Sequence, residues 1–152
     1  VREVFDENRG YLETGELQLR DYGPEPFVIN IQKAADKNRF FRFALWTGEH
    51  LQLTLMEIAV QDSIGLEMHP NLDQFLFITE GSGLVMMGER ADYMNFHQRV
   101  CPNDAVFVPA GTWHNLVNTG DEPLKLYSVY GPPAHKHGTI HRTKEEAEEY
   151  AQ

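Results

Sequence analysis

Two short stretches of this chain concentrate side chains that hold metal ions. They are Gly65-Leu66-Glu67-Met68-His69-Pro70-Asn71-Leu72-Asp73-Gln74 and, further on, Pro109-Ala110-Gly111-Thr112-Trp113-His114. Between them they supply two imidazoles, one carboxylate and one carboxamide, each in a segment of β character. Glu67 and His69 flank Met68, so on an extended strand both point to one face. Gln74 follows the Pro70-Asn71 turn, which returns it beside them on the next strand, and His114 follows a turn that feeds another β run. Two nitrogen and two oxygen donors converging on one interior point hold a divalent cation: zinc, manganese or iron.

The elements that must position these residues are strands. Phe41, Phe43 and Leu45 alternate, as do Leu51, Leu53 and Leu55 across Gln52 and Thr54. Further β runs are expected at Gln74–Thr79, Gly83–Met87, Phe96–Cys101, Ala105–Val108, Trp113–Thr119 and Leu124–Tyr130. Turn residues separate them at Glu80-Gly81-Ser82-Gly83, Asn103-Asp104, Gly111 and Gly120-Asp121-Glu122-Pro123. Gly81, Pro109 and Gly111 are read as tight turns that aim His114 inward. Many short strands with regular turns predict an all-β sandwich or barrel. Glycines and prolines break up the first 26 residues, with one short strand near Leu17-Gln18-Leu19. A strand is expected over Phe27–Ile31 and a helical turn over Ile31–Lys37. A C-terminal helix is expected over Lys144–Ala151, with Thr143 and Glu146 as its capping box.

A chain of 152 residues fits one domain with a core of its own. Its net charge of −10 argues against nucleic acid as a partner, because such binding needs a basic face. No run is long and apolar enough for a membrane span, and the N-terminus lacks the pattern of a secretory signal. The chain begins at Val1 rather than Met, which suggests a trimmed start. Cys101 has no internal partner and reads as a buried strand end, which places the protein in the reducing cytoplasm.

With these residues in view, the chain resembles the cupin superfamily, and most of all its small single-domain microbial members of the mannose-6-phosphate-isomerase-like kind. The first family motif is matched by Glu67-x-His69, four residues, Gln74, six residues, Gly81. The second is matched by Pro109-x-Gly111, two residues, His114, three residues, Asn118. The likeness covers about Trp46 to Tyr130. It implies a cupin-type antiparallel β-barrel (jelly roll) over residues 39–131, after an N-terminal arm of residues 1–38 and before a C-terminal extension of residues 132–152 that carries the short helix. The departures are specific. Glu67 stands where the family has its first His, Gln74 where it has Glu, and the opening glycines of the two motifs fall on Gln61 and Asn103. The set keeps one carboxylate and becomes harder, which disfavours copper. Gln74 takes no proton near neutral pH, so it is no base. It either ligates directly or hydrogen-bonds a metal-bound water.

Three classes of function follow. The first is a metal-dependent isomerase of a small sugar or sugar derivative, because zinc isomerases of the cupin kind use the same donor composition. The second is an iron or manganese oxygenase or decarboxylase, favoured if Gln74 stays out of the ligand set and Glu67, His69 and His114 form an open triad. The third is a non-catalytic metal- or small-ligand-binding protein. No basic residue for a phosphate is identifiable near the site, which counts against a phosphorylated substrate. His135, His137 and His141 follow Pro132-Pro133 in a polar segment and read as solvated loop residues, and His50 and His97 are given no role. Asp73, Trp113 and Tyr127 are expected to line or close the pocket, Trp113 as a wall. The apolar run from Phe27 to Ile31 needs cover, and exchange of this strand across a two-fold axis predicts a homodimer.

Overall fold

The computed structural model describes residues 11, 12, 18 and 20–149. The strand expected at Leu17-Gln18-Leu19 lies outside them but for Gln18, which is not in a strand, and the expected helix end at Ala151 also lies outside. Among the described residues the order is β1 (Tyr11–Leu12), β2 (Val28–Ile29), α1 (Ile31–Lys37), β3 (Arg42–Thr47), β4 (Gln52–Ile58), β5 (Asp73–Glu80) and β6 (Gly83–Gly88). It continues with β7 (Phe96–Val100), β8 (Ala105–Val108), β9 (Trp113–Asn118), β10 (Leu124–Gly131), β11 (Ile140–His141) and α2 (Lys144–Glu149). The large sheet has the order β11-β3-β4-β10-β5-β8, a second sheet has β7-β6-β9, and every pairing in both is antiparallel. None of the described helices is long and apolar enough to cross a membrane.

Period-two alternation decides what faces inward. Leu76 and Ile78 of β5, Met56 and Ile58 of β4, and Leu124 and Leu126 of β10 share one core with Val85 and Leu116 of the second sheet. Each such side chain contributes about 1.5–3 kcal/mol by leaving water. Along the same inward rows the chemistry changes. Leu126 lies between Met56 and Ile78, Ser128 between Thr54 and Leu76, and Tyr130 between Gln52 and Gln74. The barrel is therefore apolar at one end and polar, yet still buried, at the other. Tyr127 points the opposite way, stacked on Phe77 at 5.1 Å on the outer face, so it does not line the pocket as the sequence suggests.

The arm covers the outer face of the large sheet. Ala34 and Ala35 of α1 bury against Phe43, Leu45 and Leu55, with Tyr22, Phe27, Ile29 and Ile31 packed around them. Asn30 caps α1, its side-chain oxygen accepting from the Lys33 amide at 2.9 Å. The expected strand at Phe27–Ile31 shrinks to Val28–Ile29, paired in parallel with β1, because Ile31 is taken into the helix. Most of that apolar run thus finds cover within its own chain, leaving Val28 exposed.

Two turns reuse one geometry. The Asp62 amide donates to the Ala59 carbonyl at 3.0 Å, and the Asp104 amide donates to Cys101 at 3.1 Å. In each turn the third residue is left-handed, Gln61 at φ 67° and Asn103 at φ 77°. These are the two positions where the family motifs open with glycine, so the backbone conformation persists after the glycine has gone. Cys101 itself is exposed and not a buried strand end, because the second turn swings it outward.

The C-terminal segment is tied back across the polar end. The Gln52 carboxamide oxygen accepts from the amides of Ala134 (3.1 Å) and His135 (2.9 Å), and its nitrogen donates to the His135 carbonyl at 2.9 Å. Near the arm, buried Asp21 accepts from the Gly138 amide at 3.0 Å across 117 residues of chain. α2 then starts with the Thr143 hydroxyl accepting from the Glu146 amide at 3.1 Å, as the capping box requires.

Candidate metal centre

The stretch 62–69 runs beside β9 and is pinned to it residue by residue. Glu67 and His114 exchange backbone hydrogen bonds of 3.0 and 2.9 Å. Directly opposed residues share a face, so the Glu67 carboxylate and the His114 imidazole project together, with His69 alongside. The His69 carbonyl accepts from the Gly111 amide at 2.8 Å, and Gly111 turns there at φ 80°. As a result the ligand atoms of Glu67, His69 and His114 lie within 4.8 Å of one another, with Glu67 Oε2 and His69 Nε2 at 3.2 Å. Two donors each about 2.1 Å from a shared ion stand at most about 4.2 Å apart, so small side-chain movements bring all three into range.

Gln74 reaches the same region from β5. It is buried beside Tyr130 in the register, and the Tyr130 ring makes edge contact with His69 at 5.9 Å. Its carboxamide nitrogen donates to Ser128 Oγ at 2.8 Å, which fixes the amide's orientation and leaves Oε1 for the interior.

The donor atoms fit a cation by a second test. Gln74 Oε1 and His114 Nε2 are buried with no hydrogen-bond partner in the protein, and His69 Nε2 is buried with only the Glu67 carboxylate beside it, at 3.2 Å. A buried polar atom left unpaired costs about 1–3 kcal/mol, so donors left this way at the Glu67–His69–His114 cluster call for a ligand. The His114 tautomer agrees: Nδ1 lies 3.0 Å from the Thr112 carbonyl and must donate to it, which leaves the Nε2 lone pair for a metal. Burial lowers the His114 pKa, keeping the imidazole neutral as ligation requires. For Glu67, burial pushes the pKa up, but His69, Arg42 and His114 outweigh it and hold the carboxylate ionised below its ordinary range.

Several residues around this centre depart from the sequence reading. His135 and His141 are not solvated. The His135 ring meets the Tyr130 ring edge-on at 5.3 Å, its Nε2 is buried without a partner, and burial together with the Arg42 charge pushes its pKa down to about 3. His141 Nδ1 lies 3.2 Å from Arg42 Nη1, and burial and the same charge lower its pKa. His137 is exposed, as expected, and donates to the Gly23 carbonyl at 2.7 Å. A basic group does stand at the site. The Arg42 side chain is only 6% exposed, with Nη2 4.0 Å from Glu67 Oε1. Trp113 lines the pocket as expected, while Asp73 sits outside and accepts from the Ala110 amide at 2.9 Å, tying β5 to the turn before His114. The cavity measures about 860 Å³, and Arg42, Glu67, His69, Trp113, His135 and His141 are among its walls.

Comparison with known proteins agrees with this architecture. A family model described as cupin domain matches residues 54–130. The chain is 55% identical over 139 residues to the protein YrkC of Bacillus subtilis, covering 91% of this chain and 75% of that one. It is 33% identical over 116 residues to protein L612 of Acanthamoeba polyphaga mimivirus, covering 75% and 70%. The crystal structure of BH2720 from Bacillus halodurans superposes with a TM-score of 0.85 at 58% identity, covering 86% of this chain and 98% of that one. The chain belongs to the cupin family. Cupins commonly bind a divalent metal ion, and the Glu67, His69, His114 cluster is a possible site for one.

Proposed function

We propose that this cupin binds one divalent ion through Glu67, His69, Gln74 and His114 and acts as an isomerase on a small sugar or sugar derivative. The observation that carries the reading is the cluster of Glu67, His69 and His114 ligand atoms within 4.8 Å of one another, with His114 Nε2 and Gln74 Oε1 buried and unpartnered. The unpaired Gln74 oxygen favours a four-donor set over the open triad of an oxygenase. Zinc, manganese or iron(II) suits two imidazoles and two oxygens, and when bound it supplies Lewis acidity to a substrate carbonyl and its neighbouring hydroxyl.

The surrounding residues supply the rest. His135 Nε2, neutral and unpaired, takes a proton from the carbon beside the carbonyl and returns it to the former carbonyl carbon, while the neighbouring hydroxyl's proton passes to the former carbonyl oxygen, with no net oxidation. A ligand that neutralises Arg42 removes the second-largest cause of its low basicity, after burial. The polar end of the barrel, roofed by the 134–135 backbone on Gln52, limits water access to that proton.

Metal analysis of protein purified without chelator tests the centre, and a panel of aldoses and ketoses followed by proton exchange in D₂O tests the reaction. One ion per chain with exchange at the carbon beside the carbonyl is the expected result. Iron whose absorbance changes under oxygen points to an oxygenase, and metal without turnover points to a binding protein. Either of these refutes the isomerase. A homodimer built through the arm is proposed on narrower ground than the sequence offers, since Val28, 56% exposed, is what the apolar run leaves outward. A monomer at micromolar concentration in sedimentation velocity ends that proposal.

A further inference from the structure

Arg42 has no assigned part in the chemistry above, yet it is the most expensive residue in the cavity wall. A guanidinium carries five N–H donors and a permanent charge. Here it is buried on β3 against the Phe41 ring (5.3 Å), with Nη1 facing His141 Nδ1 at 3.2 Å. Nη2 stands 4.0 Å from Glu67, beyond hydrogen-bond range, and Nε is buried with no partner at all. Burying a charge so sparsely bonded is unfavourable unless something completes its shell.

The charge balance points to what completes it. Glu67 and Arg42 cancel, and His69, Gln74, His114 and His135 add no negative charge. A divalent ion among these donors leaves the wall two charges positive. At the rim, Lys144 is already paired with Asp62 at 2.9 Å, and the exposed Lys136 and Glu148 offset one another in charge. Beside Arg42, one further polar atom of the wall is buried and unpaired, His135 Nε2. A planar two-oxygen anion matches the guanidinium fork, while a hydroxyl matches the imidazole.

We propose that the substrate is an acid: a small hydroxy- or oxo-carboxylate, such as an acidic sugar, whose carboxylate is received by Arg42 and one of whose hydroxyls meets His135. This specifies the sugar derivative of the isomerase reading and rests on that reading for its chemistry, though not for its binding.

Calorimetric titration of zinc-loaded and of chelator-treated protein, each with three acid–alcohol pairs, tests it: glycolate against ethylene glycol, L-lactate against 1,2-propanediol, and D-glucuronate against D-glucose. At least one acid is expected to bind about tenfold or more tightly than its neutral partner, and Arg42→Gln is expected to abolish that preference while zinc content stays at one per chain. Equal affinity within every pair, no acid binding in the millimolar range, or a preference that survives in a folded Arg42→Gln protein overturns the proposal. Should that variant fail to fold, the wild-type comparison decides alone. A wild-type protein that holds no zinc sinks the metal centre instead, and the titration of chelator-treated protein still reads Arg42.

Discussion

His135 makes the folded protein sensitive to acid in a way that can be computed. Burial and the Arg42 charge push its pKa from 6.5 to about 3, so between those pH values the unfolded chain binds a proton that the folded chain does not. The groups around it come from every neighbouring element: Arg42 on β3, Glu67 and His69 on the stretch beside β9, Tyr130 on β10 and His141 on β11. Stability is fully present above pH 6.5 and is lost as pH falls toward 3. One group titrating across that window costs about 5 kcal/mol in all, and about 2 kcal/mol of this falls between pH 7 and pH 5. His114, His141 and Glu67 also have lowered pKa values, so each adds loss in the same direction. The assay is urea unfolding of chelator-treated protein at half-unit pH steps, on wild type and on His135→Phe, which keeps a ring against Tyr130. The wild type should lose about 2 kcal/mol more than the variant between pH 7 and pH 5. Parallel profiles for the two proteins would refute the reasoning, because they would mean that His135 titrates alike in the folded and unfolded states.

Three further outcomes are expected. His114→Ala should lower zinc affinity by about a hundredfold or more, since it removes the one ligand whose tautomer the backbone fixes, and equilibrium dialysis against a chelator series reads this directly. Gln61→Gly should raise unfolding stability by about 1 kcal/mol by relieving a side chain held at φ 67°, and a value at or below zero speaks against strain at that turn. Gln52→Leu should cost about 2–4 kcal/mol by unpairing the amides of Ala134 and His135, and hydrogen exchange at those two amides should accelerate with it.

The strands and both motifs were legible because period-two alternation and turn residues are local signals. β4 through β10 were marked by alternating Leu, Phe and Val, and Glu67, His69 and His114 by spacing that the Glu67–His114 bridge then makes spatial. Asn103 and Gln61 mark where such reading stops, since the turn at Asn103-Asp104 was legible while the equally left-handed Gln61, with no glycine or turn residue to mark it, was not. The second half of the site was hidden for a physical reason. Arg42 and His141 are separated by 99 residues and meet only because β11 pairs with β3. His135 is drawn inward by Gln52, a polar residue whose inward aim depends on its place in β4, and no signal near Pro132-Pro133 marks that partner. The lone Cys101 and outward Tyr127 were misplaced because a residue type's usual burial says little about which side of a turn or strand it occupies.

The clasp between early and late segments bears on how the protein is made. Asp21 waits for Gly138, Gln52 for His135, and Arg42 for His141, so the roof of the cavity is supplied by a segment synthesised after β3 to β10. Until then the β-rich body can collapse around its apolar end, but its polar end stays open and Arg42 and Gln52 remain hydrated. Chains released early would carry Glu67, His69, Gln74 and His114 without the wall that shapes what they receive. Competence to select a ligand therefore lags behind synthesis of the four candidate ligands themselves.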